Sequence, residues 1–250
     1  MQPLAGKRIL ITRPAAQAET TAAKVRQRGG IPVLFPCLQV DCLPEHIRRG
    51  LAALVEPGTE ALFTSSNGVE CVARLLGSGF ASTFADIPVA AVGRKTAERL
   101  RANGIVPALT PETHSQEGLL DAYAGRAPAR LVFFRAEEGR NLLAQGLTAQ
   151  DTDVVMVHAY RTVCPTDDAA DIVRQIETES IDAVLLGSEK TARHYLHRIG
   201  NAQVAARPVA AAISPKVAEY ATGLKLNVQV VAKEASFDAI LDGLEAFFRE

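Results

Sequence analysis

Three hydroxyl side chains stand together in the segment ALFTSSNGV at residues 61–69, namely Thr64, Ser65 and Ser66. They lie between an apolar run that predicts a strand and a pattern that predicts a helix. In an open parallel sheet, ligands bind beyond the carboxyl ends of the strands, where the free backbone N–H groups of helix N-termini attract anions. Hydroxyl groups add neutral hydrogen-bond donors. The segment therefore predicts a binding site for an anionic ligand.

The same combination of a strand end followed by polar or basic residues recurs along the chain. The further positions are Gly93-Arg94-Lys95-Thr96, Arg13-Pro14, Arg135, Ser188 and Ser214-Pro215-Lys216. An exposed helix N-terminus favours an anion by about 0.3–1 kcal/mol, and a glycine lets the backbone approach a ligand closely. For any single serine, such as Ser66 or Ser214, the alternative is a plain helix N-cap. The recurrence favours a cleft lined with anion-binding loops.

Complete signatures of other site classes are missing from the sequence. There is no Gly-x-Gly-x-x-Gly, no Gly-x-x-x-x-Gly-Lys-Ser/Thr and no Gly-x-Ser-x-Gly. The acidic pairs Glu137-Glu138 and Asp167-Asp168 are interpreted as solvated loop charges. His194 and His197 have no cysteine or acidic partner at metal-ligand spacing, so we expect no metal and no cofactor.

Composition narrows the class of protein. The 250 residues are 48% hydrophobic and 22% charged, which is typical of a soluble globular chain. A net charge of −1 without a basic block predicts no nucleic-acid partner. No run of about 18 apolar residues is present, so no membrane span is expected.

The amino terminus and the cysteines predict a cytoplasmic protein. The segment MQPLAGKRILITRP reaches a strand by residue 8 and lacks the apolar core of a signal peptide. The four cysteines, Cys37, Cys42, Cys71 and Cys164, form no Cys-x-x-Cys motif. A large cytosolic chain does not need disulfides, and none is expected.

Strand and helix patterns alternate almost throughout. Strands are predicted at 8–12, 31–35, 60–64, 88–92, 131–134, 153–160, 182–186, 208–213 and 228–231, and helices at 15–28, 68–76, 94–103, 139–149, 190–199, 214–222 and 236–248. Short strands alternating with helices predict parallel sheets covered on both faces. Nine strands are more than one compact sheet commonly holds, so the pattern predicts an α/β protein of two domains.

The chain also resembles itself at an offset of 122 residues. RILITRPAAQAETTAAKV at 8–25 aligns with RLVFFRAEEGRNLLAQGL at 130–147, which places Arg13 over Arg135. EALFTSSNGVECVARLL at 60–76 aligns with DAVLLGSEKTARHYLHR at 182–198 at the same offset. Two similar α/β lobes follow from this repeat.

Two unusually long apolar runs, at 31–40 and 153–163, predict where the chain passes between the lobes. One lobe would then be inserted into the other, with the two crossing segments side by side as a hinge. The predicted bounds are 41–152 for the inserted domain, 1–36 and 164–250 for the discontinuous domain, and 37–40 and 153–163 for the linker strands.

At these residues the chain resembles the uroporphyrinogen-III synthase family. The shared motifs, in order, are ILITRP near the start, FTSSNGV at 63–69, VGRKTAERL at 92–100, FRAEEGRNLLAQGL at 134–147, AYRT at 159–162 and SPKVAEYA at 214–221. No single motif is diagnostic, but together they span nearly the whole chain in the family's order and spacing. The resemblance implies two flavodoxin-like domains joined by a two-stranded β-ladder.

The resemblance also implies a reaction. Linear hydroxymethylbilane would lose its terminal hydroxyl as water and form an azafulvene cation. Closure through a spiro-pyrrolenine would then invert the last pyrrole ring and give uroporphyrinogen III, a step of haem and sirohaem biosynthesis. The enzyme would be a cofactor-free lyase that mainly positions its substrate. We expect a monomer, with the upstream deaminase as a candidate partner.

The family's motifs assign roles to individual residues. Tyr160 in AYRT is the candidate donor of a hydrogen bond to the departing hydroxyl, and Thr96 is the second catalytic candidate. For Tyr160 the alternative is an aromatic ring that packs on a lobe, and for Arg140 it is an ion pair with Glu137. The substrate-binding candidates from the family's motifs are Thr64, Ser65, Ser66, Gly93, Arg135 and Arg140, and those from the strand-end positions described above are Arg13, Arg94, Ser188, Ser214 and Lys216.

The discontinuous lobe departs from the family's familiar form. LLGSEKT at 185–191 brings Glu189 to a loop where a polyanion would bind, and SPKVA at 214–218 gains Lys216 but has Val217 in place of a hydroxyl. Two rival classes remain open at this point. One is a non-catalytic two-lobed binder of a small anion, and the other is a flavodoxin-type module, although the hydroxyls at 64–66 lie far from the amino terminus for a flavin phosphate loop.

Overall fold

A computed structural model describes residues 3–249. The strands are β1 (Arg8–Ile11), β2 (Ile31–Leu34), β3 (Gln39–Cys42), β4 (Thr59–Phe63), β5 (Val89–Ala91), β6 (Arg130–Ala136), β7 (Asp153–Val163), β8 (Ala183–Leu186), β9 (Val209–Ala212) and β10 (Val228–Val231). The helices are α1 (Ala15–Gln27), α2 (Pro44–Ala52), α3 (Ser66–Leu76), α4 (Phe80–Thr83), α5 (Arg94–Ala102), α6 (Gln116–Tyr123), α7 (Leu142–Thr148), α8 (Ala170–Glu177), α9 (Glu189–Ile199), α10 (Ala202–Ala205), α11 (Pro215–Gly223) and α12 (Phe237–Phe247).

The chain divides into two compact units. The discontinuous unit comprises the described residues up to Gln39 and from Val163 onward, and the continuous unit comprises Val40–Thr162. Residues 1, 2 and 250, which the sequence assigns to the discontinuous domain, lie outside the described residues.

The discontinuous unit is built on a five-stranded sheet of order β10-β9-β8-β1-β2, whose paired strands run parallel. Side chains alternate between the two faces, as the period of a strand requires. Leu10 packs into a core with Tyr195 of α9. Ile11 points to the other face, where it packs with residues of α1 and α12, including Leu241. Helices therefore cover both faces, as the alternating pattern predicts.

The continuous unit has a second five-stranded sheet, of order β3-β7-β6-β4-β5, in which β7, β6, β4 and β5 are parallel. Phe63 of β4 stacks on Phe134 of β6 on one face, with ring centroids 4.8 Å apart. Leu62 points to the opposite face and packs with Phe133 and with Tyr123 of α6. Both helix layers are anchored through these alternating residues.

Strand β7 covers the segment predicted as the second linker strand. Its eleven residues pair with β6 from Asp153 to Tyr160, so most of the segment predicted as a linker strand belongs to the continuous unit's sheet. The apolar run at this point is long because Val157, Ala159 and Tyr160 are buried in that unit. The first crossing segment contains β3, which begins at Gln39.

The cysteines also depart from expectation. Cys42 of β3 and Cys71 of α3 form a disulfide, with their Cα atoms 5.5 Å apart, a separation normal for a bridge. The sequence carried no signal for it, because 29 residues separate the two cysteines and only the fold brings them together. Cys37 and Cys164 are free.

Candidate functional site at the carboxyl edge of the continuous unit

Parallel pairing gathers three of the predicted segments at one edge of the continuous unit's sheet. Phe63, the last residue of β4, lies beside Ala91 of β5 on one side and Phe134 of β6 on the other. The residues that follow these strands are therefore neighbours at the carboxyl edge. They are the hydroxyl loop (Thr64-Ser65-Ser66), the Gly93–Thr96 segment and the end of β6 at Arg135.

The hydroxyl loop forms the N-terminus of α3. Ser65 is its N-cap, with extended backbone angles, and its Oγ accepts hydrogen bonds from the backbone N–H groups of Asn67 (3.0 Å) and Gly68 (3.3 Å). Ser66 is instead the first residue of the helix, so the capping role considered for it belongs to Ser65. Thr64 and Ser66 are half-buried beside the cap.

Tyr160 reaches the hydroxyl loop from β7. The β6–β7 register shifts between Arg135 and Ala136, so that Ala136 pairs with Tyr160. Such bulges re-aim side chains next to functional sites. The phenol oxygen of Tyr160 lies 2.8 Å from Oγ of Ser65, and only 7% of the residue is exposed. Two residues distant in the sequence, both candidates from the family's motifs, are thus in direct contact.

The second predicted loop forms the N-terminus of α5. Gly93 is its N-cap, and Thr96 lies in its first turn with 5% of its surface exposed. Arg94 is exposed and forms an ion pair with Glu98 of its own helix. A cavity of about 310 Å³ lies between α3 and α5, lined by Ser66, Lys95, Glu98, Arg99 and Ala102. Arg99 was missed from the sequence, although its i, i+4 spacing from Lys95 places both on one helix face.

Arg135 is buried at the end of β6, with 4% of its surface exposed. Its Nε donates to the carbonyl of Ala136 (3.0 Å), and one terminal nitrogen donates to the carbonyl of Arg140 (3.0 Å) and to Oδ1 of Asn141 (2.8 Å). Burial lowers the pKa of this guanidinium, while the nearby Tyr160 acts to raise it. Arg135 therefore holds the loop that follows β6.

Arg140 lies outside this arrangement. Its guanidinium pairs with Glu117 of α6 at 2.7 Å and is 65% exposed, and the hydrogen bond from it lowers the pKa of the Glu117 carboxyl. The alternative partner considered from the sequence, Glu137, is thus replaced by a residue of α6, and Arg140 itself lies in the loop before α7. The Arg-x-x-x-Gly-Arg pattern contributes one buried guanidinium and one surface ion pair.

The candidates in the discontinuous unit lie at the matching strand ends of its own sheet. Arg13 follows β1, donates to Thr21 (2.9 Å) and Gln17 (2.6 Å), and lies over the ring of Phe237 at 4.3 Å. Burial lowers the pKa of its guanidinium.

The two serine candidates of this unit are helix caps. Ser188 accepts a hydrogen bond from the backbone N–H of Thr191 at the start of α9, and Ser214 accepts one from Val217 at the start of α11. Lys216, 82% exposed, forms an ion pair with Glu189 at 3.1 Å. This pair compensates the acidic charge that made the loop unfavourable for a polyanion.

Metal-ligand clusters and membrane-spanning helices are both absent from the part of the chain that the structure describes. Residues 3–249 contain no group of three or more His, Cys, Asp or Glu side chains arranged to hold a metal ion. None of the helices described has the length and apolar character needed to cross a membrane.

The sequence of this chain matches a known protein family. Residues 19–242 match the family model described as "Uroporphyrinogen-III synthase HemD". The uroporphyrinogen-III synthase of Synechococcus elongatus is 30% identical over 100% of this chain and 98% of its own. A putative uroporphyrinogen-III synthase of Methanothermobacter thermautotrophicus is 26% identical over 82% of this chain and 85% of its own.

Solved structures show the same fold. A mutant uroporphyrinogen III synthase of Thermus thermophilus superimposes with a TM-score of 0.57 at 17% identity, covering 98% of this chain and 100% of that one. The uroporphyrinogen-III synthetase of Helicobacter pylori gives a TM-score of 0.62 at 16% identity, covering 94% and 97%. The sequence matches along the whole length, rather than the fold alone, establish that the chain belongs to the uroporphyrinogen-III synthase family.

Proposed function

We propose that the carboxyl edge of the continuous unit is where this chain carries out the reaction of its family, the cyclisation of hydroxymethylbilane in tetrapyrrole biosynthesis. The product would be uroporphyrinogen III, with the last pyrrole ring inverted and one water released.

The contact between Ser65 and Tyr160 carries this proposal. A serine hydroxyl has one proton to donate and two lone pairs that accept. Oγ of Ser65 already accepts from the N–H groups of Asn67 and Gly68, so its own proton is left to donate to the phenol oxygen, 2.8 Å away. The phenol O–H of Tyr160 is then available to donate to a ligand.

A donor at this position suits the first chemical step. The pyrrole nitrogen of the terminal ring supplies an electron pair, the bond between the methylene carbon and its hydroxyl breaks, and the azafulvene cation forms as the departing oxygen takes up a proton and leaves as water. A hydrogen bond from Tyr160 to the departing oxygen would stabilise the charge that develops there.

The backbone around Tyr160 suits the substrate's charges. Hydroxymethylbilane bears acetate and propionate carboxylates, and the N-termini of α3 and α5 both lie at this edge. Free N–H groups and the helix dipole favour carboxylates at such positions. Binding of these carboxylates through the backbone would hold hydroxymethylbilane in the folded conformation that ring inversion requires, without strong acid or base groups.

The test is a coupled assay with freshly prepared hydroxymethylbilane, followed by oxidation and separation of isomers I and III. We expect isomer III to exceed isomer I. We also expect much more isomer III than in a blank that contains heat-denatured protein. Isomer I alone, formed at the unaided rate, would favour the competing hypothesis of a non-catalytic two-lobed binder.

A further inference from the structure

The guanidinium groups of Arg13 and Arg135 are held by neutral groups without a carboxylate partner, and they occupy equivalent positions of the repeat. Arg135 at the end of β6 and Arg13 after β1 are separated by the repeat offset of 122 residues. Every hydrogen bond that these two guanidinium groups donate ends on an uncharged acceptor, which is an oxygen in all cases except the sulfur of Met156, 4.0 Å from Arg135. Within residues 3–249, no ion pair joins either of them to Asp or Glu.

Other basic candidates at the predicted sites differ in this respect. Arg94, Arg140 and Lys216 are exposed and each pairs with a glutamate, Glu98, Glu117 and Glu189 respectively. Their charges are therefore compensated within the protein. A ligand carboxylate that bound them would have to compete with that glutamate and with water.

Burial without a counter-ion makes an arginine a strong receptor for an anion. A buried charge is costly unless it is paired, and carbonyl and amide oxygens compensate it only in part. The lowered pKa of both guanidinium groups has this cause. An incoming carboxylate would supply the missing charge, and the planar guanidinium can donate to both of its oxygens.

The surroundings leave one terminal nitrogen of Arg135 for such a ligand. Nε and one terminal nitrogen are engaged by the loop, whereas the second terminal nitrogen lies against Gly139. A Cβ at Gly139, which has φ +140°, would lie 2.7 Å from this nitrogen. The absence of a side chain at Gly139 keeps that nitrogen uncovered on this side.

We propose that Arg135 and Arg13 are each, within its own unit, a charge-specific receptor for a ligand carboxylate, and that the ion-paired basic residues are not. The identity of the polycarboxylate rests on the proposed function. The preference for a polyanion rests only on the two uncompensated guanidinium groups.

The first test compares neutral substitutions at uncompensated and compensated arginines. Arg13→Gln and Arg135→Gln should each raise the KM for hydroxymethylbilane about ten- to hundredfold, the range expected when a hydrogen-bonded charge is lost. The matched controls are Arg26→Gln on α1, whose guanidinium pairs with Glu19, and Arg130→Gln at the opposite end of β6, which pairs with Asp153. A KM unchanged in the two test variants, or raised equally in the controls, would overturn the proposal.

The second test separates binding from catalysis. Benzenehexacarboxylate serves as a probe, and its stabilisation of the protein is followed by thermal shift at constant ionic strength. It should stabilise the wild type and both controls, and should do so much less in Arg13→Gln and Arg135→Gln. Equal stabilisation of all variants, or none of the wild type, would refute the proposal. Probe binding through these arginines without any isomer III would refute the proposed function instead.

Arg135 is buried, so its neutral variant can fail to fold. Arg135→Lys keeps the charge while losing the planar fork, and it should bind the probe with an intermediate loss. Arg13 is only half-buried, and its variant tests the proposal independently.

Discussion

Replacing Tyr160 by Phe tests the proposed role of the phenol most directly. The change removes one O–H and leaves the ring, which is 7% exposed and packed in the core of the continuous unit. The hydrogen bond to Ser65 is neutral and worth about 0.5–1.5 kcal/mol, so the melting temperature should fall by only a few degrees. Stability should therefore change little.

Catalysis should change much more than stability. Positioned proton donation typically contributes about 100- to 10,000-fold to a rate, so even a hydrogen bond short of full proton transfer should be visible as at least a several-fold fall in kcat. KM should stay almost unchanged, because the phenol acts on the departing hydroxyl rather than on the carboxylates. Unaided closure then competes, and isomer I should rise as isomer III falls.

Tyr123→Phe is the matched control for this experiment. Tyr123 is fully buried in the same unit, and its O–H donates to Glu60 rather than to the hydroxyl loop. Tyr123→Phe should lower the melting temperature by an amount comparable to that of Tyr160→Phe, and it should keep the wild-type ratio of isomers. Ser65→Ala combined with Tyr160→Phe should be less damaging than the sum of the single changes, because the two hydroxyls share one hydrogen bond.

A Tyr160→Phe variant with normal turnover and a normal isomer ratio would refute this reasoning. The departing hydroxyl would then be assisted by Thr96 or by a bound water. A raised KM with unchanged kcat would instead assign the phenol to uniform substrate binding.

Two further predictions concern stability. Cys42→Ser should lower the free energy of unfolding by about 3–4 kcal/mol under non-reducing conditions, since the bridge closes a loop of 29 residues. This difference from the wild type should vanish in dithiothreitol. Cys164→Ser, which removes a free thiol, should show no such dependence on the reductant. Burial lowers the pKa of His194 from its ordinary value of 6.5, so the folded chain binds this proton less readily than the unfolded chain and stability should fall as the pH drops below that value. His194→Gln should flatten the dependence of the melting temperature on pH, and a slope equal to that of the wild type would contradict the prediction.

The sequence predicts the strands well, because short apolar runs bounded by turn residues leave few alternatives. All nine predicted strands occur, each within a few residues of its expected bounds. The helices α2, α6 and α8 were missed, since eight or nine residues give barely two turns of periodicity. Strand β7 has the bounds of the predicted linker strand, 153–163, since it continues beyond its pairing with β6.

The chemistry of the site was only partly readable from the sequence. The hydroxyl loop is recognisable from its residue types, but the choice of Ser65 over Ser66 as N-cap depends on backbone angles that composition does not reveal. The ion pair of Arg140 with Glu117 joins the loop before α7 to α6, and that of Lys216 with Glu189 joins α11 to α9. Sequence spacing does not reveal such contacts, and these contacts determine which basic residues have a carboxylate partner and which do not.

The strand orders of the two sheets indicate that the chain arose by duplication. At the offset of 122 residues, the order β2-β1-β8-β9-β10 corresponds strand by strand to β7-β6-β4-β5, and the bridge of Leu109 to Ala90 takes the place of β10. Each sheet nevertheless combines strands from both halves of the chain, since β1 pairs with β8 and β4 with β6. A tandem gene duplication in which the two copies exchanged half of their strands would leave this pattern. Each half of the chain still encodes every strand position of one sheet, so an ancestor of half this length would have had the strands of a complete sheet. A cut between the present halves, in contrast, would separate central strand partners in both sheets at once.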